Sequence, residues 1–292
     1  MYSVQVQENQ SVLHEVLRDA TRRFQEAGIT NAAGEARLLA AHYLGVPATE
    51  IFLHLREPVP VGLLIAIERR EGREPLQHIV GTAPFGPLEI LVGPGVFVPR
   101  PETEVLAHWA VEKLNSGIVR PTVLDLCTGS GALAAYIAYE VRHAQVIGVE
   151  YAQRAFEWAD KNRLNLHAQH GIHYNIVRGD VIDPMLLAEL TGKVDLIVCN
   201  PPYVPRDDSL DPEVYADPDD AVFAGATGMD IINKLGPQVS RLLRPGGAVG
   251  IEHDDATSVQ VQEVIKTETE LYDVQPLMDL TGRNRFVTAS KR

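Results

Sequence analysis

The chain reads V-L-D-L-C-T-G-S-G at residues 123–131, an apolar strand that runs into a glycine-rich turn. Glycines at such a turn let a ligand approach the backbone, and they leave the N–H groups of the following helix pointing at it. The pattern of a strand followed by a helix repeats from Pro121 almost to residue 266. This alternation predicts an α/β fold with a parallel sheet and helices on both of its faces.

The apolar runs and their periods define the predicted elements of this sheet region. Strands are predicted at residues 122–126, 145–149, 173–177, 194–199 and 248–252, and helices at 132–141, 152–164, 231–243 and 256–266. A last strand at 285–289 is expected to close the sheet as an antiparallel edge.

The first 74 residues are predicted to form a small helical domain. Ser11 is expected to cap a helix that stops at Gly28, and Asn31 a second helix that stops at Gly45. A third helix is predicted to begin after Pro60. Apolar residues recur at helical spacing in all three, so their apolar faces are expected to pack on one another.

A segment rich in proline and glycine separates these helices from the sheet region. Residues 75–100 contain β-like pieces at 77–80 and 88–92, and we interpret them as a β-hairpin linker. Residues 101–292 then form the sheet domain, which is predicted to begin with a helix at 101–114 because proline suits a first helical turn.

The composition is that of a soluble globular enzyme, with 45% hydrophobic and 22% charged residues among 292. No apolar run is long enough to span a bilayer and no signal peptide is recognisable, so we expect a cytoplasmic protein without membrane contact. The formal net charge of -13 argues against general nucleic-acid binding. Cys127 and Cys199 are expected to be buried free thiols, with no metal site.

Carboxylates stand at three successive strand ends, where open α/β sheets bind ligands. We expect Asp125 to lie in the turn region and to pair with a cationic group such as an amino-acid ammonium. Glu150 would accept both hydroxyls of a ribose, while Asp180 would accept from an adenine NH2 group and Val181 would cover the ring. Together these sites would hold an amino acid, a ribose and an adenine, which are the three parts of S-adenosylmethionine.

A competing interpretation comes from the same glycine turn. Residues 129–134 also fit the G-x-G-x-x-A form of a dinucleotide fingerprint, and Glu150 lies near the spacing expected for a ribose carboxylate. A nicotinamide-dependent enzyme therefore remains an alternative. Such an enzyme has no use for an acid at Asp125, nor for the motif that follows the fourth strand.

That motif is Asn200-Pro201-Pro202-Tyr203, directly after the apolar run 194–199. The two prolines fix an extended, rigid exit from the strand. There the Asn200 oxygen and the Pro201 carbonyl could each accept one proton of a planar NH2 group, and Tyr203 would lie against its face. Two acceptors would localise the nitrogen lone pair and aim it at an electrophile, which an amide or nucleobase nitrogen needs.

Residues 125–131 followed by Asn200-Pro201-Pro202-Tyr203 resemble the class I S-adenosylmethionine-dependent methyltransferases that modify planar nitrogen. More narrowly, the stretch P-R-P-E-T-E at 99–104, preceded by residues 77–81 and Phe85, resembles the peptide chain release factor glutamine methyltransferases. The ending D-L-T-G-R at 279–283, with Arg285, is similar to that family as well. The resemblance covers nearly the whole chain.

The resemblance implies a Rossmann-like, mostly parallel seven-stranded sheet and methylation of the glutamine N5 in the Gly-Gly-Gln motif of a release factor. It implies Asn200, Pro201 and Tyr203 as catalytic residues, with Pro202 added in substrate binding. The cofactor-binding residues are then Asp125, Thr128, Gly129, Ser130, Gly131, Ala132, Glu150, Asp180, Val181 and Asn200. The partner is a release factor, recognised by residues 1–74, and the enzyme is expected to be a monomer.

Two positions depart from the family pattern, which often has an aromatic residue where Val181 stands and a small, neutral pair where Asp254-Asp255 stand. No catalytic histidine is assigned, and His253 is expected to be structural. Two further functions stay open from the residues alone. One is methylation of a nucleobase amino group in RNA or DNA, and the other is a noncatalytic S-adenosylmethionine-binding adaptor.

Overall fold

A computed structural model describes residues 12–115, 117–207, 210–268 and 270–292 of the chain. The chain divides at Gly81 into two compact units, Met1–Gly81 and Thr82–Arg292. Ser11, the predicted cap of the first helix, lies outside the described residues.

The first unit contains helices α1 (Leu13–Glu26), α2 (Ala32–Leu44), α3 (Val61–Glu71) and α4 (Leu76–Val80), with a 3-10 turn at Ala48–Leu53. Helix α1 buries residues at spacings of three and four, which form one apolar stripe: Leu13, Leu17, Ala20 and Phe24. Gly45 ends α2 with a left-handed φ of 68°, as its position predicted. Asn31 stands at the N-cap of α2, but its side chain makes no capping hydrogen bond.

The β-like piece predicted at 77–80 is wrong, because these residues form helix α4. Leu76, Ile79 and Val80 recur at helical spacing and pack against the apolar core of the first unit. Gly81, with a left-handed φ of 82°, ends this short helix before the chain turns into a strand.

The second unit begins with an antiparallel hairpin of β1 (Thr82–Phe85) and β2 (Leu88–Leu91). Seven further strands form one sheet in the order β5-β4-β3-β6-β7-β9-β8. They are β3 (Thr122–Leu126), β4 (Gln145–Glu150), β5 (Asn175–Arg178), β6 (Val194–Cys199), β7 (Leu243–Glu252), β8 (Leu271–Met278) and β9 (Asn284–Lys291). Strands β3 to β7 pair in parallel, while β9 pairs antiparallel with β7 and β8. The predicted seven-stranded, mostly parallel sheet is confirmed.

The helices of the second unit are α5 (Thr103–Leu114), α6 (Ala132–Glu140), α7 (Gln153–His170), α8 (Asp219–Val222), α9 (Ile232–Leu242) and α10 (Ser258–Thr267). Alternate residues of the strands enter two separate apolar clusters. In β6, Leu196 and Val198 pack with α5 and α6, whereas Ile197 and Cys199 pack with α9 and α10. This period of two places helices on both faces of the sheet, as predicted.

The prediction of 285–289 as the sheet edge is wrong, since β9 lies inside the sheet and β8 forms the edge. Strand β9 is interior because Phe286, Val287 and Ala289 are buried. Strand β8 is mostly exposed, and its pairing with β9 shifts register, so it lacks the apolar alternation by which a strand is found. In the described part of the chain, no helix is both long and apolar enough to cross a membrane.

Strand β3 lies at the point where the strand order reverses, with β4 on one side and β6 on the other. In open α/β sheets a crevice for ligands forms outside the carboxyl ends of the strands at such a point. The predicted site residues lie at or just after the carboxyl ends of β3, β4, β5 and β6, so the topology brings them to one edge of the sheet.

Candidate active site

The glycine turn after β3 depends on backbone conformations that few residues adopt. Cys127, Gly129 and Gly131 have positive φ values of 61°, 57° and 83°. Gly131 is also the N-cap of α6, whose first residue is Ala132. A Cβ atom added at Gly129 would meet nothing within 4 Å, so open space lies beside this backbone. The turn therefore has the shape that the sequence predicted for a ligand-binding loop.

Asp125 lies within β3 and not in the turn, which corrects the sequence prediction. It is fully buried between Gly148 of β4 and Val198 of β6 in the sheet register. Its Oδ2 accepts a hydrogen bond from Thr128 Oγ1 at 2.5 Å and one from the Ala134 N–H at 3.0 Å. The latter bond caps α6, because Ala134 is the third residue of that helix.

The second carboxylate oxygen of Asp125, Oδ1, is unusual in its surroundings. Among the described residues, Oδ1 is buried and has no hydrogen-bond partner. Burial raises the pKa of Asp125 to about 7, although the bonds from Thr128 and Ala134 oppose the shift. A buried acceptor of this kind loses its hydration without replacement, so a cationic or N–H group beside it would be stabilising.

Glu150 ends β4 and joins the glycine turn to α7. Its Oε2 accepts from the Gly129 N–H at 2.8 Å, and its Oε1 accepts from the Ala152 N–H at 2.9 Å. Burial raises its pKa, and the backbone bonds oppose that shift. Each carboxylate oxygen can accept more than one bond, so Glu150 can fix the turn and still accept from a ligand hydroxyl.

Asp180 and Val181 follow β5, as predicted. Asp180 Oδ1 accepts from the Ile182 N–H at 3.1 Å, which stabilises the turn there. Val181 is buried in the apolar cluster that also contains Val149 and Leu186. A cavity of about 540 Å³ opens nearby, beside the ends of β4 and β5, and its lining includes Tyr151, Ala152, Arg154, Arg178 and Asp220.

The four residues Asn200-Pro201-Pro202-Tyr203 follow β6 without regular secondary structure. They are here called the amide clamp, after the role predicted for them. Val204 then makes an isolated parallel bridge with Phe223, which fixes the end of the clamp. Gly228 packs so closely that a Cβ atom there would lie 2.1 Å from the Tyr203 carbonyl oxygen. Strand β6 on one side and this bridge on the other hold the clamp in place.

Three hydrogen bonds hold the clamp through two side chains, those of Thr103 and Glu252. Asn200 Nδ2 donates to Thr103 Oγ1 at 3.3 Å, and the Tyr203 hydroxyl donates to Glu252 Oε1 at 3.0 Å. Thr103 Oγ1 donates to the other oxygen of Glu252, Oε2, at 2.8 Å. Burial raises the pKa of Glu252 to about 7, opposed by these two hydroxyls and by Arg285.

Sequence reasoning missed both Thr103 and Glu252 as site residues. Thr103 belongs to the P-R-P-E-T-E stretch at 99–104, which was noted without a role for this side chain. Glu252 ends β7, just as Glu150 ends β4. The rule that located Glu150 at a strand end would therefore have found Glu252 too.

Asn162 of α7 was missed as well, and it connects the hairpin to the glycine turn. It is fully buried, and its Nδ2 donates to the carbonyls of Leu91 and Ser130, both at 2.9 Å. Its Oδ1 accepts from the Leu91 N–H at 2.8 Å. No periodicity marks a buried polar residue in a helix, so its role becomes visible only from its partners.

Comparison with known proteins identifies the family. The family model described as the PrmC N-terminal domain matches residues 15–81, and the one described as the methyltransferase small domain matches residues 88–214. The release factor glutamine methyltransferase of Corynebacterium glutamicum is 53% identical over 279 residues, covering 96% of this chain and 99% of that protein. The chain belongs to the release factor glutamine methyltransferase family.

A second relative agrees with this family, and a solved structure agrees with the fold. The release factor glutamine methyltransferase of Mycolicibacterium smegmatis is 43% identical, covering 96% of this chain and 98% of that protein. The hMettl16 catalytic domain, solved in complex with the MAT2A 3′UTR hairpin 6, superposes with a TM-score of 0.53 at 16% identity, over 79% of this chain and 80% of that one. Family and class I methyltransferase fold are thus as predicted, and the nicotinamide alternative loses its support.

The structure also gives an account of Asp254-Asp255, for which the sequence offered none. In this release factor glutamine methyltransferase, Asp254 Oδ1 accepts from the Ala256 N–H at 2.9 Å, and Asp254 Oδ2 lies 3.8 Å from Arg285. Asp255 lies 3.9 Å from Arg283. The two carboxylates therefore face the arginines of the 279–285 segment.

Proposed function

We propose that this protein transfers a methyl group from S-adenosylmethionine to the side-chain N5 of the glutamine in the Gly-Gly-Gln motif of peptide chain release factors. Family membership over nearly the full length supports this reaction class. The observation that carries the assignment of roles is the orientation of Asn200. Since its Nδ2 donates to Thr103, its oxygen remains as the acceptor for a substrate N–H.

The class I fold implies dependence on S-adenosylmethionine, and the residues at the sheet edge fit that group. Asp125 Oδ1, buried and unpartnered among the described residues, would accept from the ammonium. The glycine turn at residues 128–132 would enclose the methionine part, and Glu150 would bind the ribose. Asp180 would accept from the adenine NH2, with Val181 beside the ring.

When bound, the cofactor supplies an electrophilic sulfonium methyl group. The protein aligns the acceptor nitrogen with that methyl group, and alignment of reacting groups lowers a barrier substantially. Asn200 Oδ1 and the Pro201 carbonyl accept the two N–H protons of the glutamine carboxamide, which localises the nitrogen lone pair. Tyr203 restricts the carboxamide to one plane, and Pro202 keeps the clamp extended.

The amide nitrogen becomes acidic as its bond to carbon forms, so no strong general base is required before transfer. His253 does not serve as one. It is fully buried, its Nδ1 lies 2.8 Å from the Asp254 carbonyl, and burial lowers its pKa. Its place beside β7 supports the structural role predicted for it.

Residues 1–74 would recognise the folded release factor. In the first unit, several large apolar side chains are exposed on and beside α3, as expected for a protein-binding surface: Phe52, Leu53, Val61, Leu64 and Ile65. We further propose that the enzyme is cytoplasmic, because its substrate is a cytoplasmic protein, and that it acts as a monomer.

The direct test is incubation with radiolabelled cofactor, a purified release factor and total RNA, followed by location of the label. We expect label on the glutamine of the Gly-Gly-Gln motif, and none on a release factor in which that glutamine is replaced by alanine. Label in the RNA would favour the nucleobase alternative. Cofactor binding without transfer to either substrate would favour a noncatalytic adaptor.

A further inference from the structure

Glu252 is a buried carboxylate at the end of β7 to which the mechanism above gives no role. Its side chain contacts both ends of the amide clamp, Tyr203 directly and Asn200 through Thr103. Thr103 begins α5, whereas Asn200 and Tyr203 lie in the segment after β6. Glu252 is therefore the point at which these elements are joined beneath the clamp.

The chemistry of these groups fixes the direction of each hydrogen bond. In its ionised form the Glu252 carboxylate only accepts, so both hydroxyl protons, of Thr103 and Tyr203, must then point at it. A threonine hydroxyl has one proton, and here it is donated to Glu252 Oε2 at 2.8 Å. The Thr103 oxygen can then only accept from Asn200, and the group that donates to it must be the NH2 of the side-chain amide.

We propose that Glu252 is a positioning residue that sets the hydrogen-bond polarity of the amide clamp. Through Thr103 it holds the Asn200 amide with its nitrogen inward, which leaves the oxygen to accept from the substrate NH2. Through Tyr203 it holds the ring that restricts the carboxamide plane. This inference rests on the proposed function, because it assumes that the clamp binds a carboxamide.

Replacement by glutamine tests polarity with little change in shape. In Glu252→Gln, the side-chain NH2 must face one of the two hydroxyls, and a donor cannot accept that hydroxyl's proton. The displaced proton of Thr103 would then compete with the NH2 of Asn200 and favour the flipped amide. We expect kcat for glutamine methylation to fall about 10- to 100-fold, as for the loss of a hydrogen bond to a charged group.

Three measurements distinguish this polarity role of Glu252 from a purely structural one. For the polarity role, the Kd for S-adenosylmethionine should stay within about twofold of wild type, because the cofactor residues lie on other strand ends. Thr103→Val should lose activity as Glu252→Gln does, while Thr103→Ser should keep it, since the hydroxyl is restored. Residues in one series of hydrogen bonds give non-additive losses of activity. The kcat of the double variant Thr103→Val/Glu252→Gln should therefore be no lower than that of the less active single variant.

The experiment measures kcat and KM on a purified release factor, cofactor Kd by calorimetry and the melting temperature of each full-length variant. Glu112→Gln, at an exposed position of α5, is the charge-matched control.

Unchanged kcat in Glu252→Gln, or losses that multiply in the double variant, would overturn the inference while the proposed function stands. If Glu252→Gln fails to fold, equal activity of Thr103→Val and Thr103→Ser overturns it and loss in Thr103→Val alone supports it. Wild-type protein that labels no release factor overturns the proposed function and the inference with it.

Discussion

Replacing Asp125 by asparagine should make the cofactor-free protein more stable at alkaline pH while weakening cofactor binding. The carboxyl group of Asp125 is fully buried, with one oxygen unpartnered among the described residues. Its pKa is raised from 3.8 to about 7, mainly by burial, and the nearby Glu150 adds to the shift. Asparagine has almost the same shape but no charge to desolvate.

The sign and size of the effect follow from linkage. A carboxyl whose pKa is higher in the folded than in the unfolded protein stabilises the fold fully below its unfolded pKa, and this contribution is lost as the pH rises through the folded pKa. One pKa unit corresponds to about 1.4 kcal/mol, so a shift to about 7 costs about 4 kcal/mol once Asp125 is ionised. About 3 kcal/mol of this loss falls between pH 5 and pH 8.

The assay is urea unfolding of wild type and Asp125→Asn between pH 5 and pH 8, with and without S-adenosylmethionine. The difference in free energy of unfolding should grow by about 3 kcal/mol over that range in favour of the variant. Asp183→Asn, at an exposed position, is the matched control. The added stability from saturating cofactor should be much smaller in Asp125→Asn. Parallel pH profiles of wild type and variant would refute the assigned burial cost, and equal cofactor affinity would refute the ammonium contact.

Three further predictions concern the clamp and the first unit. Asn200→Ala should slow methylation by at least 10-fold and leave the calorimetric cofactor Kd nearly unchanged, because it removes one substrate acceptor; equal losses in both would contradict its role. Gly228→Ala should lower the free energy of unfolding by more than 2 kcal/mol in urea titrations, since its Cβ would lie 2.1 Å from the Tyr203 carbonyl oxygen and its φ is 75°. Gly129→Ala is the control, with positive φ but open space, and a similar loss there would rule out the steric cause. Deletion of residues 1–80 should abolish methylation of a folded release factor and retain cofactor binding, and full activity of the shortened protein would disprove the recognition role.

The inner strands were predicted well because a buried strand appears in the sequence as a run of apolar residues. The bounds of β3 and β6 agree with the prediction, since both are apolar runs limited by proline or a glycine turn. Strand β8 was not predicted, because an edge strand needs no alternation of apolar residues. The segment 77–80 was misread because four residues fit helical and extended periods almost equally well.

Some site residues could be predicted from local sequence, whereas others depend on contacts between residues far apart in the chain. Glu150 and the amide clamp were found because strand ends in an α/β sheet are local landmarks. The hydrogen bond from Asn200 to Thr103 joins residues 97 positions apart, and that from Thr103 to Glu252 spans 149. No spacing rule reaches so far. The Asp125 oxygen that has no partner within the described chain likewise depends on what neighbouring strands place around it.

The hydrogen bonds from Asn162 to Leu91 and Ser130 determine where a chimera of two relatives can be joined. They attach the hairpin to the glycine turn, although its composition is that of a tether. A chimera that exchanges recognition modules between relatives should therefore be joined at Gly81, ahead of the hairpin. A junction at residue 100 would import a foreign hairpin and leave the amide of Asn162 without its Leu91 partners.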